Sequence, residues 1–353
     1  MKREYLEKVY KNQRISIYEI KPFIENLKRF IVSTKYTSKI LNLPEIYGTT
    51  YIENLKTGMK LILHSSFFKS MFKDVNESTT NVLVFLRGGL NFSLYELLYK
   101  EYGFKKHTVS FMTSERYKKK EHWRIKHDQY RKFVIMDNMN IFSGDVVATG
   151  TTLENGLNIL KEYVEMKNIK IKKFVFFTIG SKKAEDIFIR FKKYFKDTEF
   201  YLIYLEGRFK LVENENEFRI CIPETDLVRK GGLISPEFEI SSYNFSNSFI
   251  ERCIIYDVGA RAFNYKDHIK EVINYWKSLI DLNLSFEDIL YERWRYFGSD
   301  KEIMEEKKFK WRNVREDLIR KAVENYRELE HKVKNTNFKK FALHRIKKLE
   351  EEL

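Results

Sequence analysis

The chain has 353 residues, of which 43% are hydrophobic and 16% aromatic, so it can fold as one large domain or two ordinary ones, and a disordered chain is disfavoured. Lys and Arg outnumber Asp and Glu by 65 to 50, and the formal charge of +15 favours an anionic partner without specifying a phosphate ester, a nucleic acid or an acidic protein. Cys221 and Cys253 are the only cysteines, and no run approaches the roughly 18 apolar residues that span a bilayer, so we expect a cytoplasmic protein without a disulfide framework, a zinc site or a membrane partner.

Residues 1–75 are predicted to form a helical N-terminal region. Apolar residues from Ile17 to Ile31 recur at a spacing typical of a helix, and Gly48 lies in a stretch that interrupts the pattern. A second helix is predicted over residues 59–72.

Residues 76–260 have the pattern of an α/β domain. The continuous apolar run at 81–86 predicts a strand buried on both faces, and a helix is predicted over 90–102. Further strands are predicted at residues 108–112, 133–136, 174–180 and 200–205 and immediately before Asp145. Strands that alternate with helices indicate a mostly parallel sheet flanked by helices, with ligands beyond the carboxyl ends of the strands.

Residues 261–353 are predicted to form a helical C-terminal region. Apolar residues between Ile269 and Ile280 form one stripe, and Ser285 and Asp288 have the spacing of a helix N-cap and its partner. The interleaved charges of the final helices are typical of a solvated helix face. The predicted fold class is therefore α/β, with helical additions at both ends.

The stretch around Asp145 predicts a strand, a short polar loop and a helix. An apolar run ends there, and a helical period begins at Leu153. The loop between them carries Thr149, Gly150, Thr151 and Thr152. Hydroxyl groups, a small residue and backbone N–H groups without helical partners meet at such a helix start, which is a common way to hold a phosphate.

Two loops together resemble a known family. Residues 145–152, DVVATGTT, resemble the phosphoribosyl diphosphate (PRPP) signature of the type I phosphoribosyltransferases, and residues 86–90, LRGGL, resemble the same family's pyrophosphate-side loop. Each loop stands at the end of a predicted parallel strand. The resemblance covers roughly residues 76–210. It implies a type I phosphoribosyltransferase-like fold and an enzyme in which a nucleophile, usually a nucleobase nitrogen, displaces pyrophosphate from PRPP.

The resemblance implies a role for each loop residue. Asp145 would accept hydrogen bonds from the ribose hydroxyls and stabilise the positive charge that develops on the sugar ring. Arg87, with the amides of Gly88 and Gly89, would face the pyrophosphate, whose oxygens would carry Mg²⁺, so no direct protein ligand to the metal is expected. The 5′-phosphate would be held by the loop Ala148, Thr149, Gly150, Thr151 and Thr152.

A strongly basic segment, residues 114–127, lies where the family carries its mobile catalytic hood. Lys120 and His122 are the candidates to stabilise the departing pyrophosphate, and they have the spacing of the Lys-x-His of the orotate enzymes, although Trp123 stands where a glycine is expected. The alternative interpretation is a solvated basic loop or an RNA-contacting patch.

One position departs from the family pattern. The family usually has two adjacent acids at the end of this strand, and Gly144 stands in place of the first. The absence of the first acid removes one ribose contact and weakens the metal environment. Turnover is therefore less well supported than ligand binding. Asp137 is a candidate substitute, with a turn residue as the alternative interpretation.

Three further features have two interpretations each. Lys182 and Lys183 lie where purine salvage enzymes place a base-reading lysine, or they form a surface cluster. In one interpretation residues 205–209 close over the ring of a ligand, and in the other they form a hairpin turn. Residues 225–237 are a second ligand loop or an interdomain connection.

The sequence leaves three functions open. The first is a PRPP-dependent phosphoribosyltransferase with an unidentified small-molecule acceptor, whose helical regions would support a homo-oligomer or a protein partner and a specialised role, as in the similar proteins of bacterial stress and conflict gene clusters. The second is a non-catalytic PRPP or nucleotide sensor, which Gly144 favours. The third is a nucleic-acid-binding protein that uses the basic hood and the C-terminal helices.

Overall fold

The computed structural model describes residues 3–86, 88–119, 122–211, 227–242, 258–288, 300–312 and 316–353. These residues form a mixed α/β fold in which one sheet has helices on both faces. The order of its strands, numbered along the chain, is β11-β1-β2-β3-β9-β8-β7-β4-β5-β6, and β10 pairs with β9.

The first strands replace the helix that was predicted over residues 17–31. The three are β1 (Tyr5–Lys11), β2 (Ile15–Lys21) and β3 (Leu27–Thr34). Neighbours among them pair antiparallel, and β3 joins β9 in parallel, so this segment is part of the main sheet. The helical prediction is wrong here because apolar side chains of β2 point to both faces: Ile17 packs in one core and Ile20 in the other.

Helices come after these strands, as predicted for the second half of the N-terminal region. They are α1 (Lys35–Asn42), α2 (Gly48–His64) and α3 (Ser66–Met71). With α4 (Leu94–Tyr102), they cover one face of the sheet and form the first core cluster.

The centre of the sheet is parallel. Its strands are β4 (Thr80–Leu86), β7 (Met139–Val147), β8 (Ile171–Ser181) and β9 (Glu199–Leu211). The second face is covered by α5 (Thr151–Lys167) and α6 (Lys182–Phe191), whose apolar residues form the second core cluster. This arrangement confirms a central sheet flanked by helices, with parallel pairing at the centre and antiparallel pairing towards the margins.

The basic segment forms a hairpin of two long strands, β5 (Thr108–Lys119) and β6 (His122–Lys132). The strand predicted over residues 133–136 is wrong, because β6 ends at Lys132. The backbone of Val134 bonds to side chains instead: its N–H donates to Ser110 Oγ at 2.9 Å, and its carbonyl accepts from Thr108 Oγ1 at 2.9 Å.

Strand β10 (Leu227–Ile234) pairs antiparallel with β9 and leads into α7 (Pro236–Ser242). Both interpretations of residues 225–237 are therefore wrong for the part from Leu227 onward, which is a sheet strand and a helix start. Residues 205–209 lie inside β9, where a strand irregularity replaces the predicted hairpin turn.

The described residues from 258 onward are mainly helical, as predicted. The helices are α8 (Val258–Phe263), α9 (Tyr265–Asp281), α10 (Asp300–Lys310), α11 (Glu316–Lys334) and α12 (Phe338–Glu350). A two-residue strand, β11 (Trp311–Arg312), pairs with β1. The predicted cap is present: the Ser285 and Asp288 backbones donate to each other's side chains at 2.7 and 3.1 Å. Within the described ranges, no helix is long and apolar enough to cross a membrane.

Candidate functional site

The carboxyl ends of β4, β7 and β8 lie at one edge of the sheet. β4 pairs in parallel with β7, and β7 with β8. The segments after Leu86, Val147 and Ser181 therefore leave the sheet on the same side. The loops after β4 and β7, which the sequence motifs associate with one ligand, are neighbours in space.

The turn after β4 is in direct contact with the end of β7. A Cβ atom added to Gly88 would lie 2.2 Å from Asp145 Oδ1, and one added to Gly89 would lie 2.9 Å from the carbonyl oxygen of Gly144. A side chain at either position would therefore require this turn or the β7 residues that it contacts to move. Arg87, the third member of the predicted pyrophosphate loop, lies outside the described residues.

Asp145 lies within β7, two residues before its end, rather than after the strand. The residue is only 9% exposed, and its Oδ1 accepts a hydrogen bond from the Val146 amide at 2.8 Å. This carboxylate lies beside Gly88 in a largely dry environment, where hydrogen bonds and charge interactions are stronger than in water.

The loop after β7 has the form that a phosphate site requires. Helix α5 begins at Thr151 after Gly150, whose φ is +84°, and no side chain caps this helix end. The hydroxyls of Thr149 and Thr151 lie 3.1 Å apart, within hydrogen-bonding distance of each other. Uncapped amides, paired hydroxyls and the positive end of the helix dipole thus meet at one point.

Gly150 cannot be replaced without a collision. A Cβ atom there would lie 2.4 Å from Ile187 Cδ1 of α6, and the positive φ disfavours any side chain. Close packing against α6 therefore fixes the backbone of the loop, and Ile187 is a supporting residue that the sequence did not identify.

Ser181 is a second supporting residue that sequence reasoning missed. Its hydroxyl donates to the Ala148 carbonyl at 2.6 Å, and the same oxygen accepts from the Lys183 amide at 3.1 Å as the N-cap of α6. One side chain therefore ties the loop after β7 to the helix after β8. The available signal was a serine at the end of an apolar run and before a helical period.

Phe92 fills the space that the side chain of an acid at position 144 would need. A Cβ atom on Gly144 would lie 2.7 Å from Cγ of Phe92, a residue that is 1% exposed. Phe92 ends a short 3₁₀ turn, Gly88–Phe92, that packs directly on β4 and β7. The aromatic ring thus occupies the volume that a carboxylate side chain at position 144 would need.

Asp137 cannot replace that acid. It lies before the start of β7, at the opposite end of the strand from Asp145, and its Oδ1 accepts a hydrogen bond from the Lys170 amide at 2.6 Å. This contact supports the turn interpretation.

Lys182 and Lys183 are the first residues of α6, and both are exposed. Lys182 Nζ lies 3.7 Å from Glu4 Oε2, whereas Cβ of Lys183 would lie 3.6 Å from a Cβ on Gly150. Lys183 is therefore adjacent to the phosphate loop, and Lys182 faces the N-terminal segment.

The hairpin β5–β6 extends beyond the edge where the loops meet. Pairing of β5 with β4 stops at Thr113, whereas pairing of β5 with β6 continues to Lys119 and His122. The backbone therefore projects past the end of β4, as a hood over this edge would. Lys120 and the side chain of His122 lie outside the described part of the chain.

A buried carboxyl group, Glu206, lies further along the same edge. Its side chain accepts hydrogen bonds from Ser33 Oγ at 2.6 Å, from the Thr34 amide at 2.9 Å and from Thr37 Oγ1. Complete burial raises the pKa of Glu206 to about 8. The group anchors the start of α1 to β9 and does not reach the two loops described above through any of these hydrogen bonds.

The described residues contain no group of three His, Cys, Asp or Glu side chains that could hold a metal ion.

No family model matches the chain, and no curated protein matches it significantly. Among solved structures, it is similar to adenine phosphoribosyl transferase from Trypanosoma brucei in complex with AMP, pyrophosphate and ribose-5-phosphate, at 16% identity and a TM-score of 0.33 over 52% of this chain and 85% of that one. It is also similar to the purine phosphoribosyltransferase of Pyrococcus horikoshii, at 14% identity and a TM-score of 0.23 over 47% and 94% of the two chains. The Helicobacter pylori xanthine-guanine-hypoxanthine phosphoribosyltransferase gives 16% identity and a TM-score of 0.24 over 42% and 84%. Similarity at this level does not determine the activity of the chain, and its function is inferred from its own residues.

Proposed function

We propose that the chain binds PRPP at this edge of the sheet and transfers the phosphoribosyl group to a small-molecule acceptor, releasing pyrophosphate. The observation that carries the proposal is the contact of Gly88, in the turn after β4, with Asp145 near the end of β7, whose following loop leads into an uncapped helix start. One ligand with a phosphate at each end fits this arrangement.

The loop Ala148, Thr149, Gly150, Thr151 and Thr152 would hold the 5′-phosphate. The first amides of α5 and the hydroxyls of Thr149 and Thr151 would donate to its oxygens, and the dipole of the 17-residue helix would favour its negative charge. Because Ser181 at the end of β8 and Ile187 of α6 fix this loop, little ordering is needed when the phosphate binds.

Asp145 would act at the sugar. Its carboxylate would accept from a ribose hydroxyl and offset the positive charge that builds on the ring as the bond from the anomeric carbon to the pyrophosphate oxygen breaks. The acceptor's nitrogen then bonds to the anomeric carbon and loses its proton. Burial strengthens the interaction because the local dielectric constant is low.

The turn that begins at Gly88 would bind the pyrophosphate. The amides of Gly88 and Gly89, with Arg87, would donate to it, and Mg²⁺ would neutralise its charge when bound through the ligand's own oxygens. Lys120 and His122 are the proposed groups that stabilise the departing pyrophosphate.

Release of pyrophosphate from PRPP and Mg²⁺ across a panel of nucleobases and other nitrogen nucleophiles tests the proposal. We expect one acceptor to give turnover that Asp145→Asn lowers at least about 100-fold, the usual scale for loss of one electrostatic group. Asp137→Asn is the matched control, because that carboxyl is at the far end of the same strand. Turnover unaffected by Asp145→Asn would contradict the proposed role.

A second candidate function is a PRPP or nucleotide sensor without turnover. It is favoured by Gly144, because Phe92 fills the space beside this residue and the site has one acid, Asp145, instead of two. Tight PRPP binding without pyrophosphate release for any acceptor would select the sensor over the enzyme.

A further inference from the structure

The distribution of charge changes abruptly near the end of the chain. Residues 302–330 carry eight acidic and eight basic residues, as expected for solvated helix faces, but residues 331–349 contain six lysines, one arginine and no Asp or Glu. This run supplies +7 of the formal charge of +15. Its lysines are Lys332, Lys334, Lys339, Lys340, Lys347 and Lys348.

These six lysines, the basic surface, lie on the last turn of α11 and on α12, and all are exposed. One side of α12 is buried, because its apolar residues pack with α9 in a third core cluster. The buried residues are Phe338, Ala342, Ile346 and Leu349. At about 100° per residue, the four lysines of α12 spread over the other half of the helix, and Lys340 and Lys348 lie about 12 Å apart along its axis.

The basic surface has no acidic partner within the described part of the chain. None of its six ammonium groups forms an ion pair there, whereas cations around it are paired. Arg345 Nη2 lies 2.9 Å from Glu45 Oε2. Lys277 Nζ of α9 lies 3.5 Å from Oε1 of Glu350, the acid that ends the run. The positive charge of the surface is therefore not neutralised by ion pairs within the described fold.

The stability of α12 explains only part of the basic surface. Lys347 and Lys348 lie in its last turn, where the helix dipole favours cations. Lys339 and Lys340 lie in its first turn, which has no acidic residue, and there the same dipole disfavours cations. A pair of lysines that opposes the stability of its own helix indicates an interaction outside the helix.

The composition of the basic surface distinguishes among anionic partners. A helix that lies on a membrane needs an exposed apolar face, whereas the apolar side of α12 is packed on α9. Protein interfaces are enriched in aromatic residues and depleted in lysine. The run has two phenylalanines, of which Phe338 is buried and Phe341 packs against the same core cluster. Lysines without exposed rings fit closely spaced phosphate groups best.

We propose that the basic surface binds the phosphate backbone of double-stranded DNA without reading its sequence. Single strands are disfavoured because their bases stack on exposed aromatic rings, which the run does not offer. The major groove of B-form DNA admits an α-helix, so lysines on both margins of α12 can reach phosphates on both sides of that groove. The major groove of duplex RNA is too narrow for this. The inference does not depend on the proposed transferase activity.

Fluorescence anisotropy of the full chain with two DNA duplexes of unrelated sequence, each of about 20 base pairs, tests the inference over a series of salt concentrations. We expect the two Kd values to agree within about threefold, and the logarithm of the association constant to fall linearly with the logarithm of the salt concentration. Replacing the four lysines of α12 by glutamine should weaken binding at least about tenfold at about 0.1 M salt and make the slope less steep by about 3–4.

The matched control replaces four exposed lysines elsewhere by glutamine, namely Lys60, Lys73, Lys167 and Lys196. It changes the net charge by the same amount and leaves the basic surface intact, so its Kd for DNA should stay within about threefold of that of the unmodified protein. If the quadruple variant of α12 does not fold by circular dichroism, the double variant Lys339→Gln/Lys340→Gln replaces it. That variant removes cations which the helix dipole disfavours, and should make the slope less steep by about 2.

Several results would overturn the inference. The first is no binding to duplex DNA by the unmodified protein, and the second is equal losses in the α12 variant and the matched control, which would show that net charge alone is responsible. The third is tighter binding to a single strand or an RNA duplex of the same length. Calorimetry with PRPP should give the same result for both quadruple variants, so a failure of the DNA surface is distinguishable from a failure of the PRPP site.

Discussion

At the scale of single residues, the backbone of the phosphate loop depends on one glycine. Gly150 combines a φ of +84° with a missing side chain that would collide with Ile187. Gly103 at the end of α4 has a similar φ of +72°, but a Cβ there would have nothing within 4 Å. A comparison of substitutions at the two glycines therefore distinguishes the cost of a positive φ from the cost of overpacking.

We expect Gly150→Ala to lower the free energy of unfolding by about 2–4 kcal/mol and to abolish PRPP binding, because strain and overpacking add. Gly103→Ala should cost only about 1 kcal/mol, from the backbone alone, and should leave binding unchanged. Urea unfolding and calorimetry measure both effects. Equal losses of stability in the two variants would contradict the packing role of Gly150.

Glu206 makes stability depend on pH. Its folded-state pKa of about 8 lies above the ordinary value of 4.5, because burial disfavours the carboxylate. The folded chain therefore holds a proton that the unfolded chain releases, and the contribution to the free energy of unfolding is complete at acidic pH and is lost as pH rises through about 8.

We expect Glu206→Gln to be more stable than the unmodified protein at pH 9, by about 5 kcal/mol at most, and no more stable at pH 5. The glutamine keeps the shape of the side chain but cannot ionise. Denaturant unfolding of both proteins at the two pH values measures the difference. The same difference at both values would show that ionisation of Glu206 does not contribute.

At the scale of elements, sequence patterns succeed where a feature is local. The strand, loop and helix around Asp145 and the cap at Ser285 are predictable because turn chemistry and helical period act over a few residues. The contact of Gly88 with Asp145 agrees with the predicted parallel topology, since the carboxyl ends of parallel strands share an edge.

The sequence-based predictions fail where a feature depends on residues that are distant in the chain. The apolar pattern of β2 resembles that of a helix because a strand buried on both faces has no simple alternation. Its identity as a strand depends on pairing with β1 and β3, which a local pattern does not contain. The role of Phe92 is invisible in the sequence because it depends on how a 3₁₀ turn packs on a strand that is distant in the chain. Such contacts are a property of the folded core, not of any local window.

At the scale of the whole molecule, a buried group of charges joins the N-terminus to the second face of the sheet. Arg29 of β3 and Arg208 of β9 each bond to Glu185 of α6 at 2.7 Å, and both also bond to Glu4. Glu185 has a 2% exposed side chain, and both arginines donate to its carboxylate in place of water. The group connects α6, whose Ile187 packs against the phosphate loop, with β3, β9 and the segment before β1.

We expect Glu185→Ala to lower the free energy of unfolding by about 3–5 kcal/mol, because two buried guanidinium groups lose their buried carboxylate and keep only Glu4, whose side chain is 23% exposed. Glu154→Ala is the matched control: Glu154 pairs with Arg190 at 2.6 Å, but both side chains are about half exposed. That variant should lose less than about 1 kcal/mol. Guanidinium chloride unfolding compares the two, and similar losses would count against a structural role for the buried group.

Binding of PRPP with Mg²⁺, measured by calorimetry on the full chain, tests the central claim most directly. The contact of Gly88 with Asp145 beside the phosphate loop predicts saturable one-to-one binding that Asp145→Asn weakens at least about tenfold, whereas Asp137→Asn binds like the unmodified protein. No binding, or binding that is unchanged by Asp145→Asn, would contradict the assignment of this edge of the sheet as a PRPP site.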